Sequence, residues 1–258
     1  MAPAFFIAHG SPMLAIENNE YTRDLNQLGK SLGTPDAIVV FSAHWVSRTL
    51  SLTSTNEPQR TIYDFGGFPK DLYEVIYPAK GSVKVAEEVA ELLESNGIEV
   101  RRDLGRGLDH GVWVILRHMF PEADIPVIPV SVNPLLPPEE QYRIGRALTE
   151  LKNRNIVVIG SGGTVHNFHE IDFSRENASA EWAKEFDSWL IDRIREWDTA
   201  SLFDYKQLAP YAAAATPDYE HFLPVFIAMG CGDDNRKAKQ LHQSYRYGSL
   251  SHIILEFA

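Results

Sequence analysis

Histidine supplies both a metal-binding nitrogen and a proton carrier near neutral pH. Of the nine histidines in this 258-residue chain, three stand just past runs of buried-strand character. His9 follows Ala4-Phe5-Phe6-Ile7-Ala8, His44 follows Ala37-Ile38-Val39-Val40-Phe41-Ser42-Ala43, and His166 follows Ile156-Val157-Val158-Ile159-Gly160-Ser161. Ligands of an open α/β sheet bind at the carboxyl ends of the strands, so histidines delivered there by separate strands can converge on one metal ion. A lone histidine after a strand is more often structural; the repeated coincidence favours ligands. His221 is a fourth candidate, in Thr216-Pro217-Asp218-Tyr219-Glu220-His221-Phe222-Leu223-Pro224. Thr216 as cap and Pro217 at the first helical position predict a helix start there. The positive end of a helix disfavours imidazolium and would keep His221 in the neutral form that metals require. Glu220 is the competing ligand, since adjacent helical residues point about 100° apart and one of the pair faces the metal.

His110, in Leu108-Asp109-His110-Gly111, reads either as an acid/base or substrate-anchoring group, or as the start of a helix capped by Asp109. The run Gly160-Ser161-Gly162-Gly163-Thr164-Val165 before His166 lacks the Lys-Ser/Thr ending of a phosphate loop. Its glycines read instead as letting backbone approach a bound ligand closely. His169 reads as a supporting or surface residue, and His118, His242 and His252 as structural. The loop Tyr63-Asp64-Phe65-Gly66-Gly67-Phe68-Pro69 offers aromatic faces suited to closing over a planar ring, or to ordinary loop anchoring.

Strand-like runs at 4–8, 37–43, 126–132, 156–161 and 252–257 alternate with segments of helical period. That pattern gives an α/β fold: a central, mostly parallel or mixed sheet with helices on both faces, in one domain over residues 1–258. A helix is expected over 83–95, with Ser82 as its cap and Gly97 as its stop. Another opens at Pro137-Pro138 and turns Ile144, Leu148 and Leu151 inward. Over 180–197, Trp182, Phe186, Trp189, Leu190, Ile194 and Trp197 form a stripe that reads as core packing. The least regular stretches, 53–81 and 201–217, are rich in Gly, Pro and aromatics, a composition that suits functional loops.

The chain is 44% hydrophobic, enough for a sizeable core, and its net charge of -11 opposes binding to nucleic acid or to an anionic membrane. Cys231 is the only cysteine. It can form no internal disulfide and no thiolate zinc knuckle, so a metal here rests on nitrogen and oxygen ligands. No basic leader precedes the first apolar run and no run approaches the ~20 residues that span a bilayer. A cytoplasmic protein acting on a small molecule is expected.

Taken in order, His9-Gly10-Ser11-Pro12, Ser42-Ala43-His44-Trp45, Tyr63 to Pro69, Leu108-Asp109-His110-Gly111, Gly160 to Asn167, and Glu220-His221-Phe222-Leu223-Pro224 resemble the 4,5-DOPA extradiol dioxygenase family. That family belongs to the class III ring-cleaving dioxygenases related to the catalytic subunit of protocatechuate 4,5-dioxygenase. The likeness runs from residue 5 to the C-terminus. Each short motif is weak alone; six in series are specific. The resemblance implies a mononuclear metal at His9, His44 and His221, with His166 as acid/base residue or further ligand and His110 as a histidine on the substrate side. It also implies a catechol and O2 as reactants, with Trp45, Tyr63 and Phe68 set to pack on the ring. The wider class uses two histidines and a carboxylate on Fe(II), whereas His221 makes a site of three imidazoles. Such a set suits Zn(II) as the metal found, with Fe(II) as the metal needed for ring cleavage. Two rivals remain at this level: a zinc hydrolase using Glu220 or His166 as base, and a metal-containing binding protein without turnover.

Overall fold

The computed structural model describes residues 2–258 except Phe173, Arg175 and Asn177. Its strands are β1 (Ala4–Ala8), β2 (Ala37–Val46), β3 (Leu50–Thr53), β4 (Val100–Asp103), β5 (Val127–Val132), β6 (Ile156–Gly162), β7 (Ala238–Arg246) and β8 (Leu250–Phe257). Its α-helices are α1 (Glu20–Leu32), α2 (Val83–Ser95), α3 (His110–Met119), α4 (Pro138–Arg146), α5 (Glu181–Arg195), α6 (Thr199–Phe203), α7 (Tyr205–Leu208), α8 (Ala212–Ala215) and α9 (Leu223–Cys231). Side chains alternate across a strand. In β1, Ala4, Phe6 and Ala8 therefore enter one core with α2, α4, α5 and α9, while Phe5 and Ile7 enter a second core with α1 and α3. A strand apolar on both faces needs helices on both, and each fully buried Phe or Ile contributes about 1.5–3 kcal/mol.

The strands form one sheet in the order β4-β3-β5-β2-β6-β1-β8-β7. Its centre is parallel, with β5, β2, β6 and β1 side by side, and β8 and β7 close one edge antiparallel. The mixed sheet anticipated from the strand-helix alternation is thus present. Strands β3, β4 and β7 were not: β3 and β4 are four residues each, and β4 is Val-Arg-Arg-Asp, too short and too polar to show a period. Among the described residues no helix is long and apolar enough to cross a membrane.

Several element ends follow their signals. Ser82 caps α2 by accepting from the Val85 N–H, and Gly97 leaves it at φ 73°. Helix α4 opens at Pro138 but stops at Arg146; Leu148 and Leu151 are buried in the 3₁₀ turn beyond it. The aromatic stripe of α5 buries Phe186, Leu190 and Ile194, leaving Trp182 and Trp189 partly exposed at its margin. Buried in the same helix is Asp187, which accepts from Ser251 Oγ at 2.6 Å and Tyr245 OH at 2.8 Å. Burial pushes its carboxyl pKa up.

The helix start expected at Pro217 is displaced. The Thr216 hydroxyl donates back to Ala212 O at 2.9 Å, so it closes α8 rather than capping a new helix. The chain then makes a 3₁₀ turn over Tyr219–His221, and α9 begins at Leu223 with Pro224 in its first turn. Pro217 fitted a helix start, but burial of the wholly apolar α9 places that start at Leu223.

The histidines read as structural act as ties. His118 Nε2 meets Leu14 O at 2.7 Å, and His242 Nδ1 meets Asp24 Oδ2 at 2.6 Å, joining β7 to α1. The Tyr21 ring stacks on His252 at 4.7 Å. Burial lowers the His252 pKa to about 3, so the folded state favours its neutral form. The stability this gives is complete above the unfolded value of 6.5 and is lost as pH falls toward 3. His252→Phe, which keeps a ring against Tyr21, is expected to flatten the fall of Tm between pH 6.5 and 3.5, measured by thermal melts across that range; an unchanged slope refutes it.

Candidate metal centre

The parallel pair β1 and β6 ends together, Ala8 opposite Gly162, which sets His9 beside Ser161 at the carboxyl edge of the sheet. Strand β2 keeps register with β5 through Ser42–Ser131 and resumes at Val46–Val132, so Ala43, His44 and Trp45 are extra residues in a bulge. A bulge re-aims side chains, and here it turns His44 toward His9. His221 arrives from the opposite core. A Cβ on Gly162 would lie 2.0 Å from His221 O, and one on Gly160 would lie 2.2 Å from Pro224 O. The glycines expected to admit a ligand admit backbone instead, and Gly163 N–H then donates to His221 O at 2.8 Å.

Polar groups on the outer side of the rings bias their tautomers. Ser161 Oγ donates its single proton to Gly111 O, so at 3.0 Å it must accept from His9 Nδ1–H. His44 Nδ1 lies 3.4 Å from Asp64 Oδ2, and His221 Nδ1 lies 3.1 Å from Glu220 Oε1; a carboxylate can only accept. The Nε2 atoms of His9 and His221 are consequently bare lone pairs, and the Asp64 carboxylate facing His44 Nδ1 favours the same tautomer there. The three Nε2 atoms converge: His9 Nε2 is 2.9 Å and His221 Nε2 is 3.1 Å from His44 Nε2. Burial first, and then repulsion among the neighbouring imidazoles, holds His9 and His44 well below the usual histidine pKa. Neutral nitrogens facing one another at this spacing repel unless a cation lies between them, and metal–nitrogen bonds of about 2.0–2.1 Å suit the spacing. The residues present fit a metal.

His9, His44 and His110 also form a compact trio, with one donor atom from each within 4.8 Å of the others. His110, however, gives Nδ1 to Asp64 Oδ1 at 2.9 Å and sits with its ring 3.9 Å from that of His44. His221 Nε2, 3.1 Å from His44 Nε2, is the alternative third donor. Glu220 accepts from His221 rather than replacing it. The His166 ring stacks on His221 at 3.6 Å and 6°, beside the trio, and burial lowers its pKa to about 3.

Above these rings is a cavity of about 390 Å³, lined by His9, His44, His110 and His166 together with Phe65 and Phe68. Its size falls within the range of small-molecule sites, about 300–1,000 Å³. Phe68 takes the place expected of it, whereas Trp45 and Tyr63 do not line the cavity. Trp45 is buried on the other side of the bulge beneath the Arg106 guanidinium, 4.6 Å from its ring centroid. Tyr63 anchors the loop by donating to Val75 O at 2.8 Å. Asp109 precedes α3, but its carboxylate holds Ser42 and Arg106 instead of capping the helix. Phe65, Asp64 and Ser161 belong to the site and were not singled out from the sequence; Asp64 and Phe65 lay within the aromatic loop, and Ser161 within the glycine run. Cys231, buried at the end of α9, lines a different cavity near the amino ends of β1 and β6.

An α/β sheet with a histidine centre at its carboxyl edge defines a metalloenzyme of the open-sheet kind. Residues 3–258 match the family described as the catalytic LigB subunit of aromatic ring-opening dioxygenase. The chain belongs to that family, and it is an extradiol ring-cleavage dioxygenase. It is 38% identical over 259 residues to a 4,5-DOPA dioxygenase extradiol of Beta vulgaris, covering 98% of this chain and 95% of that one. It is 33% identical over 260 residues to the protein of the same name from Escherichia coli, covering 98% and 94%. A crystal structure of an uncharacterized Escherichia coli K12 protein superposes with a TM-score of 0.84 at 30% identity, over the whole of both chains.

The contact of Gly162 with His221 gives a direct check. Gly162→Ala is expected to push His221 out of the trio, destabilise the fold by about 1–3 kcal/mol and weaken metal binding at least tenfold. Isothermal titration with Zn(II) beside a urea melt reads both; wild-type affinity in the variant contradicts the packing argument.

Proposed function

We propose that His9, His44 and His221 hold one divalent metal, and that the chain, acting as a single catalytic domain over residues 1–258, opens the ring of an L-DOPA-like catechol with O2. The observation that carries this reading is the approach of the His9 and His221 Nε2 atoms to that of His44, with His9 and His44 lining a cavity that has aromatic walls. Zn(II) is the ion such a set retains on purification and Fe(II) the one ring opening requires, since zinc does not change oxidation state. The metal, when bound, polarises the diol oxygens and brings substrate and O2 together.

The remaining work falls to side chains. His166, neutral at working pH, accepts a diol proton. His110, backed by Asp64, carries a proton to and from the opening ring, while Phe65 and Phe68 pack on it and exclude water. The relatives' names support L-DOPA as the substrate type. A single cysteine, with no partner for an internal disulfide, supports a cytoplasmic setting.

Metal-free protein loaded anaerobically with Fe(II), then given L-DOPA and air, is expected to take up oxygen and form a yellow product. His44→Ala should lose both metal binding and uptake, His221→Ala should do the same, and His110→Ala should keep the metal while losing turnover. Loss of the metal from His110→Ala with retention by His221→Ala would exchange the roles of those two residues. No uptake with any of several catechols, or oxygen-independent hydrolysis of an ester, would overturn the dioxygenase reading for this substrate class.

A further inference from the structure

Among the three proposed ligands, His9 donates its outer hydrogen bond to Ser161 and His221 donates its own to Glu220, its neighbour in sequence. His44 is different. Its Nδ1 faces Asp64 Oδ2 at 3.4 Å, and the other oxygen of the same carboxylate accepts from His110 Nδ1 at 2.9 Å and from the His110 backbone N–H at 3.0 Å. One carboxylate thus serves two imidazoles with different tasks, one aimed into the trio and one at the cavity. The Asp64 side chain is 24% exposed, so this arrangement sits at the cavity wall rather than deep in the core.

Asp64 is also the loop's attachment. The segment from Tyr63 to Pro69 is held at one end by Tyr63 on Val75 O, and Gly66 and Gly67 have open space around them, with Gly67 at φ 80°. Phe65 and Phe68, which line the cavity, flank those glycines, and Phe65 lies with its ring 5.3 Å from that of Phe68 and 5.6 Å from that of His110. Whatever fixes Asp64 fixes the residue next to Phe65.

We infer that Asp64 is a positioning residue that couples metal occupancy at His44 to the orientation of His110 and to the placement of the Phe65–Phe68 loop over the substrate. The inference rests on the assignment of His44 as a ligand. With metal on its Nε2, the His44 ring would have a more polarised Nδ1–H and one fixed orientation, so its attraction to Asp64 would strengthen. Asp64 then holds both rings and the start of the loop together. Without metal, His44 can turn, and the loop keeps only the His110 side of the attachment.

Asp64→Asn is the informative change because it preserves size and supplies one acceptor and one donor. Its amide oxygen can serve one imidazole; its NH2 group then faces the Nδ1–H of the other, two donors in opposition. Zn(II) affinity by competition with a chromophoric chelator is expected to fall 10–100-fold, as for other partners of metal-bound histidines. Under saturating Fe(II), oxygen uptake should show a fall in kcat together with a rise in KM for the catechol. Hydrogen exchange of the peptide spanning 63–69 should slow on Zn(II) binding in the wild type and respond little in Asp64→Asn. Asp64→Ala, which removes both contacts, should weaken metal no less than Asp64→Asn, and a lowered Tm of the metal-free variants alone would mark a merely structural role. Wild-type Zn(II) affinity in Asp64→Asn, or a loop whose exchange ignores metal in the wild type, overturns the inference. Both readouts use Zn(II) without substrate, so a failure of catechol turnover would leave this test standing and fall on the functional reading alone.

Discussion

Three imidazole nitrogens held about as close as hydrogen-bonded atoms are the constraint on which the rest of this structure depends. His9 and His221 spend their one N–H outward, on Ser161 and Glu220, and present bare nitrogens inward, while the Asp64 carboxylate facing the outer nitrogen of His44 favours the same arrangement there. Left alone, that arrangement is repulsive, and burial removes the water that would relieve it. A cation turns the same geometry into attraction. The site is therefore complementary to a metal before any metal is considered, because the tautomers are set by groups behind the rings.

Holding such a cluster requires a stiff frame. Two parallel strands supply His9 and Ser161 side by side, a bulge re-aims His44, and close backbone contact between β6 and the turn before α9 brings His221. Strands β1 and β6, which carry the first of these supports, are buried along their whole length, so displacement there costs packing on both faces. The cavity above is built differently, from a glycine-containing loop with aromatic side chains. A rigid floor with a loop for a wall suits a site that must keep its metal while accepting and releasing a ring.

Much of this was legible in the chain. Runs apolar on both faces, such as Phe5-Phe6-Ile7, announced a sheet covered on both sides, and the histidines directly after those runs announced its carboxyl edge. The strand-end positions of His9 and His44 and the motif series around His110, His166 and His221 pointed to one centre, which the structure brings together. Phe68 was legible as an aromatic on a flexible turn. Trp45 was not, because the side to which a residue points within a bulge is decided by neighbouring strands. Tyr63 failed for a similar reason: its hydroxyl found a backbone partner in Val75, twelve positions on. Thr216 and Pro217 carried the local helix-start signal, and the burial of α9 moved the start to Leu223.

The sequence by itself determined the chemistry available: imidazoles rather than thiolates as donors, apolar strands to carry them, an acidic surface, and motifs in an order that names the family. Tertiary structure decided which nitrogen of each ring faces inward, that His221 rather than Glu220 joins the trio, that glycines admit backbone rather than ligand, and that Asp64 joins two histidines at once. The physical reason is that residue type and spacing are local properties, whereas a tautomer, a shared hydrogen bond and a backbone contact are relations among groups brought together from distant parts of the chain.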